Sequence, residues 1–120
     1  MATAEIVLAY LRAIESHDLD RVAACLHPEV QVREHPNKIN PQGASYDAVA
    51  LRAAGERGRA VMAGETYEVR GMIVDGDRAC VQSLWTGTLH DGRTMQAHIC
   101  SVFEVRDGRI SRQEQYDCFV

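Results

Sequence analysis

Apolar positions in the first half of the chain recur at helical spacing. Ile6, Val7, Tyr10, Leu11 and Ile14 form one stripe, which predicts an amphipathic helix with Thr3 as its N-cap and Ser16-His17 as its end. Asp18 is placed to cap a short second helix, whose buried face is Leu19, Val22, Ala23 and Leu26 and which Pro28 closes. From Glu29 the period drops to two. Val30, Val32 and Glu34 share one face of a short strand, while Gln31, Arg33 and His35 take the other. Glu34 is the anomaly, a carboxylate where that face predicts another valine. Residues 36–45 (PNKINPQGAS) read as a loop long enough to form a rim or lid. A third helix follows from about Asp47 to Met62, ended by Gly64. Gly55 and Gly58 weaken it intrinsically, so packing and close backbone approach must hold it.

The second half is a different kind of sequence. Asp75-Gly76, Asp91-Gly92 and Asp107-Gly108 recur at a constant interval of sixteen residues, with stretches rich in Val, Ile, Thr and aromatics between them. Asp-Gly supplies the positive-φ positions of tight hairpin turns. The segment from Thr66 onward therefore reads as a four-stranded antiparallel meander with long strands that curl around whatever covers them. Register decides which residues share the interior. With three-residue loops over 90–92 and 106–108, Trp85, Ala97 and Asp117 form one cross-strand row. Val81, Trp85, Leu89, Ala97, Ile99, Phe103, Val105 and Phe119 then gather on one face, together with the polar Ser101, Gln113, Gln115 and Asp117. Two-residue loops would put Trp85 and Val81 opposite Ile99 and Phe103, leaving neither face coherent. The three-residue register is preferred. Its outer face, with Leu84, His98, Cys100, Val102, Tyr116 and Cys118, is too apolar for a solvated sheet and points to a homodimer interface.

Composition narrows the classes. A chain of 120 residues fits one domain, 1–120, with a real core. Net charge is −4 and the 13 basic residues are scattered, which speaks against nucleic-acid binding. No apolar run approaches membrane-spanning length, and the first residues lack a charged n-region. The four cysteines contain no CxxC pair, and none of the three strand cysteines falls opposite another, so free thiols and a cytoplasmic location are expected. The five histidines show no HxH, HxxxH or HExxH spacing; neither a metal nor a cofactor is expected.

Helix, short helix, acid-bearing strand, helix and long meander together resemble the α+β cone-shaped roll of the NTF2-like superfamily, which includes ketosteroid isomerase and the SnoaL-like polyketide cyclases. The resemblance is carried by AYLRAIESHDLDRVAACLHPEVQVREHP (9–36), VFEVRDGRI (102–110) and YDCF (116–119). It implies three N-terminal helices packed on a long, curved antiparallel sheet. By the same resemblance, Tyr10 sits where the isomerase has an oxyanion-stabilising tyrosine, and Glu34 where it has its general base. The isomerase's protonated aspartate corresponds to Ser101, a departure that argues against steroid-type enolisation. Asp117 lies one residue from the position of a late acid/base aspartate in the cyclases.

Tyr10, Glu34 and Asp117 are thus the candidate catalytic residues, and Trp85, Ile99, Ser101 and Phe103 the candidate substrate-binding residues. A carboxylate in an apolar cavity has its pKa raised by desolvation, toward values useful to a general base. The expected function is cofactor-free acid/base chemistry on a hydrophobic carbonyl compound. Isomerisation, cyclisation and dehydration share that logic, and epoxide hydrolysis with a water nucleophile is a further form of it. A non-catalytic carrier of a lipophilic ligand, or a dimeric interaction module, would use the same fold.

Overall fold

The computed structural model describes all residues, Met1–Val120. Three helices, α1 (Thr3–Ser16), α2 (Leu19–Ala24) and α3 (Ala48–Val61), accompany six strands: β1 (Leu26–Glu34), β2 (Ala44–Tyr46), β3 (Met62–Asp75), β4 (Arg78–Leu89), β5 (Thr94–Arg106) and β6 (Arg109–Phe119). The strands form one curved, unclosed sheet in the order β2-β1-β6-β5-β4-β3. β3 to β6 are the expected antiparallel meander. β1 joins its end parallel to β6, a pairing the strand pattern did not foretell.

The α1 stripe does what its spacing predicts. Ile6, Val7, Tyr10 and Leu11 are buried against Val30 and Val32 of β1, Val81 of β4, Phe103 of β5 and Ile110 of β6. Phe103, Ile110 and Val7 have no exposed surface. Each such side chain contributes about 1.5–3 kcal/mol of burial free energy, so this cluster anchors the helix to the sheet.

The helix ends differ from those the sequence pattern predicts. Thr3 does not cap α1; its hydroxyl donates to the Gly76 carbonyl (2.7 Å), tying the helix start to the β3–β4 turn. Asp18 caps α2 as expected, accepting from the Asp20 and Arg21 amides (both 3.1 Å). That helix stops at Ala24, however, and Leu26 already belongs to β1, where it pairs with Ile110. Pro28 lies inside β1, in the irregular stretch between Leu26 and Gln31 where the ladder asks for no amide proton. The 36–45 loop is shorter than its sequence indicates, because Ala44–Tyr46 adds a small edge strand to β1. α3 ends at Val61 and passes into β3 without a loop; Gly64 lies within that strand. Of the two helical glycines, Gly55 explains itself: a Cβ there would come within 2.8 Å of Leu19 in α2.

The three Asp-Gly pairs make three different turns. Asp75 pairs with Arg78, leaving Gly76-Asp77 as a two-residue loop with positive φ at Gly76. His90-Asp91-Gly92 is the predicted three-residue loop, closed by the Leu89 amide on the Arg93 carbonyl (2.8 Å). Asp107 and Gly108 both have positive φ (54° and 74°) and form a two-residue loop between Arg106 and Arg109. A bulge near Ser111 then restores the register's parity. The inward face is therefore as expected, but the row is not. Trp85 faces Ala97, and Ala97 faces Phe119, while Asp117 sits opposite Ile99. The same bulge turns Ile110 into the core.

No strand cysteine lies directly opposite another, and all four are free. Cys80 and Cys100 are nevertheless diagonal neighbours, with sulfurs 3.5 Å apart. No helix is long and apolar enough to cross a membrane.

Candidate active site

Between the helices and the inner face of the sheet lie two adjoining cavities. The larger, about 300 Å³, has walls from α1, α2 and α3 and includes Tyr10, Glu34, Tyr46, Glu65, Tyr67 and Gln115. The smaller, about 170 Å³, is lined by Glu65, Tyr67, Trp85, Ile99, Gln115, Asp117 and Phe119. Glu65, Tyr67 and Gln115 belong to both, so they form the partition. A more open hollow of about 550 Å³ lies on the opposite face of the sheet, among His35, Arg70, Gln82, His98, Tyr116 and Cys118. Asp117 and Ile99 border it as well, His35 stacks on Tyr116 (4.2 Å) and the Cys100 sulfur lies 3.5 Å from Cys80, but Glu34, Tyr10 and Tyr67 do not reach it, so its size does not make it the better site.

Glu34 lines the larger cavity from the end of β1, where it continues the buried row of Val30 and Val32. Its carboxylate accepts from Asn37 Nδ2 (2.8 Å), and Gln115 is its neighbour across the β1–β6 pairing. Asp117 is in the smaller cavity, with Gln115 Nε2 donating to both carboxylate oxygens (2.9 and 3.0 Å). Burial raises the Asp117 pKa, the Gln115 hydrogen bond opposes this, and the charge of Glu34 adds to the rise. No cationic side chain compensates either acid.

A hydrogen-bonded ladder runs along the inward side chains of β6. Gln113 Nε2 donates to Ser101 Oγ and to Gln115 Oε1 (both 3.2 Å), and Gln115 passes its own amide protons to Asp117. The period-two spacing of Gln113, Gln115 and Asp117 places them one above another on a single face.

Tyr10 is 3% exposed and its ring packs edge-on against Phe103 (6.1 Å). Desolvation raises its pKa, which keeps the hydroxyl a neutral donor. Tyr67 is held protonated in the same way, with the charge of Glu65 adding to the effect of burial. Neither hydroxyl bonds to the protein, and the only buried unpartnered side-chain polar atom is His35 Nε2. Both hydroxyls are therefore open to the cavity.

Two of the expected ligand contacts are displaced. Phe103 is fully buried beneath Tyr10 and lines neither cavity. Ser101 is buried behind Gln113 and lines neither cavity. Helix α1 covers that part of the sheet, and depth beneath a helix is not encoded in strand alternation. Trp85 and Ile99 do line the smaller cavity. His35 and His98 lie on the outer side, as the register requires.

The sequence reading missed Glu65 and His17. Glu65 faces inward with Tyr67 and Val69, and its side chain is 10% exposed. One carboxylate oxygen meets His17 Nε2 (2.7 Å) and the other accepts from Trp85 Nε1 (3.0 Å). His17 ends α1 in the left-handed conformation (φ 56°), which carries its ring back over the sheet. Gly87 makes room for the Trp85 ring: a Cβ there would lie 2.6 Å from its Cη2. Extending the alternation of Tyr67 and Val69 back by one step would have exposed Glu65 as a second acid in an apolar row.

This helix-covered roll, with an acid on its first strand and another late on its last, can be set beside known proteins. The family model of the SnoaL-like domain matches residues 7–113. The chain belongs to the SnoaL-like family. Its fold is that of NTF2-like structures. IdmH of Streptomyces antibioticus, put forward as a polyketide cyclase, superposes with a TM-score of 0.81 at 19% identity, over 98% of this chain and 92% of its own. TerC, crystallised with polyporic acid, gives 0.80 at 20% identity, covering 96% and 90%. An LEH-like epoxide hydrolase of M. tuberculosis gives 0.78 at 21%, covering 96% and 81%. At such identities the likeness establishes the SnoaL-like fold and not a reaction. No curated protein sequence matches the chain.

Proposed function

We propose that this SnoaL-like protein is a cofactor-free acid/base enzyme acting on a hydrophobic carbonyl compound, by isomerisation, cyclisation or dehydration. The observation that carries the reading is the convergence on one partition: Glu34 and Asp117 flank Gln115, and the Tyr10 and Tyr67 hydroxyls open into the same apolar space. Glu34, half-exposed and bonded only to Asn37, serves as the base that takes a proton from the carbon next to the carbonyl. Tyr10 and Tyr67 donate to the oxyanion that develops, and burial keeps both protonated for that task. Asp117, whose carboxyl holds its proton to higher pH than usual, is suited to return a proton. The polyketide-cyclase and epoxide-hydrolase neighbours agree with an enzyme on this fold and leave its substrate open.

The test is solvent-deuterium incorporation at the α-carbon of a β,γ-unsaturated cyclic ketone, followed by NMR. Glu34→Gln should abolish exchange while ligand binding, followed by the fluorescence of the sole tryptophan, Trp85, persists. A non-catalytic carrier is the second reading, favoured by the apolar helical wall of the larger cavity. It would quench Trp85 with no exchange in the unmodified protein. The outer face, with half-exposed Tyr116 beside Leu84 and Val102, is proposed to pair with a second copy. A monomer by sedimentation at micromolar concentration would remove that assignment.

A further inference from the structure

Glu65 shares the larger cavity with Glu34 and the smaller with Asp117, and its two oxygens are held by two different side-chain N–H groups, from His17 and Trp85. A carboxylate accepts, so the contact at 2.7 Å places the proton on His17 Nε2. In the neutral form of the ring the lone pair then falls on Nδ1, the nitrogen without a protein partner. His17 lines the larger cavity, and its side chain is 17% exposed. Trp85 fixes the other oxygen at 3.0 Å, so the carboxylate cannot rotate away from the imidazole.

We propose that Glu65 is a positioning residue for His17, and that the pair forms a second proton-transfer centre that takes a hydroxyl oxygen of the ligand. The proton of that hydroxyl moves to Nδ1, leaving its electron pair on oxygen. The positive charge gained by the ring is stabilised by the Glu65 carboxylate at Nε2; the reverse transfer returns the proton. This is the arrangement by which an acid-oriented imidazole activates a hydroxyl or a water. The proposal rests on the cavity being a ligand site, but not on Glu34 or Asp117 being catalytic. It extends the ligand class from a carbonyl compound to one that also bears a hydroxyl at the α1–β3 corner.

The chemistry of Glu65 makes a sharp test available. An amide has one acceptor oxygen, and both His17 Nε2–H and Trp85 Nε1–H need an acceptor. In Glu65→Gln the oxygen can stay with Trp85 while the amide donates to His17 Nε2, which forces the ring into the Nδ1–H tautomer. Long-range ¹H–¹⁵N spectra at pH 8 should show an Nε2–H ring for His17 in the unmodified protein and an Nδ1–H ring in Glu65→Gln. Calorimetry with 2-naphthol and 2-methylnaphthalene should show a preference of about tenfold for the naphthol, the value of one good hydrogen bond. His17→Phe should remove that preference and retain the methylnaphthalene affinity. An Nδ1–H or doubly protonated ring in the unmodified protein overturns the proposal. So does an unchanged tautomer in Glu65→Gln, or equal affinity for the two probes, including none for either. Loss of ketone exchange in Glu34→Gln leaves these readouts untouched, so the two proposals fail separately.

Discussion

Two corners of the cavity hold carboxylates at positions where strand alternation predicts apolar side chains, and the protein treats them differently. At the α1–β3 corner, Glu65 meets an imidazole and an indole N–H, and its side chain is 10% exposed. At the β1–β6 ledge, Glu34 and Asp117 are bonded only by amide groups, from Asn37 and Gln115, and the charge of Glu34 adds to the rise in the Asp117 pKa that burial causes. A buried acid with two N–H partners is a fixed structural element, because removing one leaves an unsatisfied donor. An acid kept near a second acid with no cation is costly to hold ionised, and retaining it makes sense where its proton is to be exchanged. On the reading proposed above, a carboxylate positions a partner on one side and exchanges a proton on the other.

The largest expected effect breaks the ledge. Asp117→Asn keeps an oxygen toward Gln115 but cannot carry a proton between ligand and solvent. Turnover should fall by about 10²–10⁴-fold, the usual contribution of one general acid or base, with little change in ligand affinity. Loss of affinity with kcat intact would instead make Asp117 a simple binding group. Next in size is the opposite corner. Glu65→Gln should destabilise the fold by about 1–3 kcal/mol in urea titration, because two hydrogen bonds to a charged acceptor become neutral ones and the His17 ring must change tautomer. Gly87→Ala should cost a similar ~1–3 kcal/mol by driving the Trp85 ring off Glu65, and should shift the tryptophan emission. An unshifted emission would show that the indole does not depend on Gly87.

The pH dependence separates the corners again. Because the Asp117 pKa is raised in the fold, its contribution to stability is fully present below the ordinary carboxylate value and is lost as pH rises through the raised value. Asp117→Asn should therefore gain on the unmodified protein in melting temperature from pH 4 upward, the difference levelling off above the raised value. A constant difference between pH 3 and pH 8 would contradict the desolvation of this carboxylate.

Where sequence and structure agree follows from what each pattern encodes. Period-two alternation located the inward face of β4 to β6, and with it Trp85, Ile99 and Asp117, because parity survives any even shift of register. The α1 stripe located Tyr10 for the same kind of reason. Alternation fails at bulges, since one extra residue reverses it. The bulge near Ser111 hid Ile110, which has no exposed surface, and the shift between Met62 and Gly64 obscured the early start of β3 that presents Glu65. Depth was not legible either. Phe103 and Ser101 have the correct parity, yet Tyr10 and Gln113 stand between them and the cavity.

Ser101 supplies the smallest and most discriminating effect. Its hydroxyl accepts from Gln113 Nε2 at 3.2 Å, and the ladder reaches Asp117 only through Gln115. Ser101→Ala deletes one neutral hydrogen bond at the buried end, which should cost about 0.5–1.5 kcal/mol. Turnover should change by less than about tenfold, because Gln113 retains Gln115 as acceptor and Gln115 still holds both oxygens of Asp117. If Ser101 instead touched the ligand as an oxyanion donor, the loss would be about 10²-fold or more. A small change in kcat with a measurable loss of stability thus puts Ser101 behind the wall, and makes β6, rather than β5, the strand that carries the ledge's chemistry.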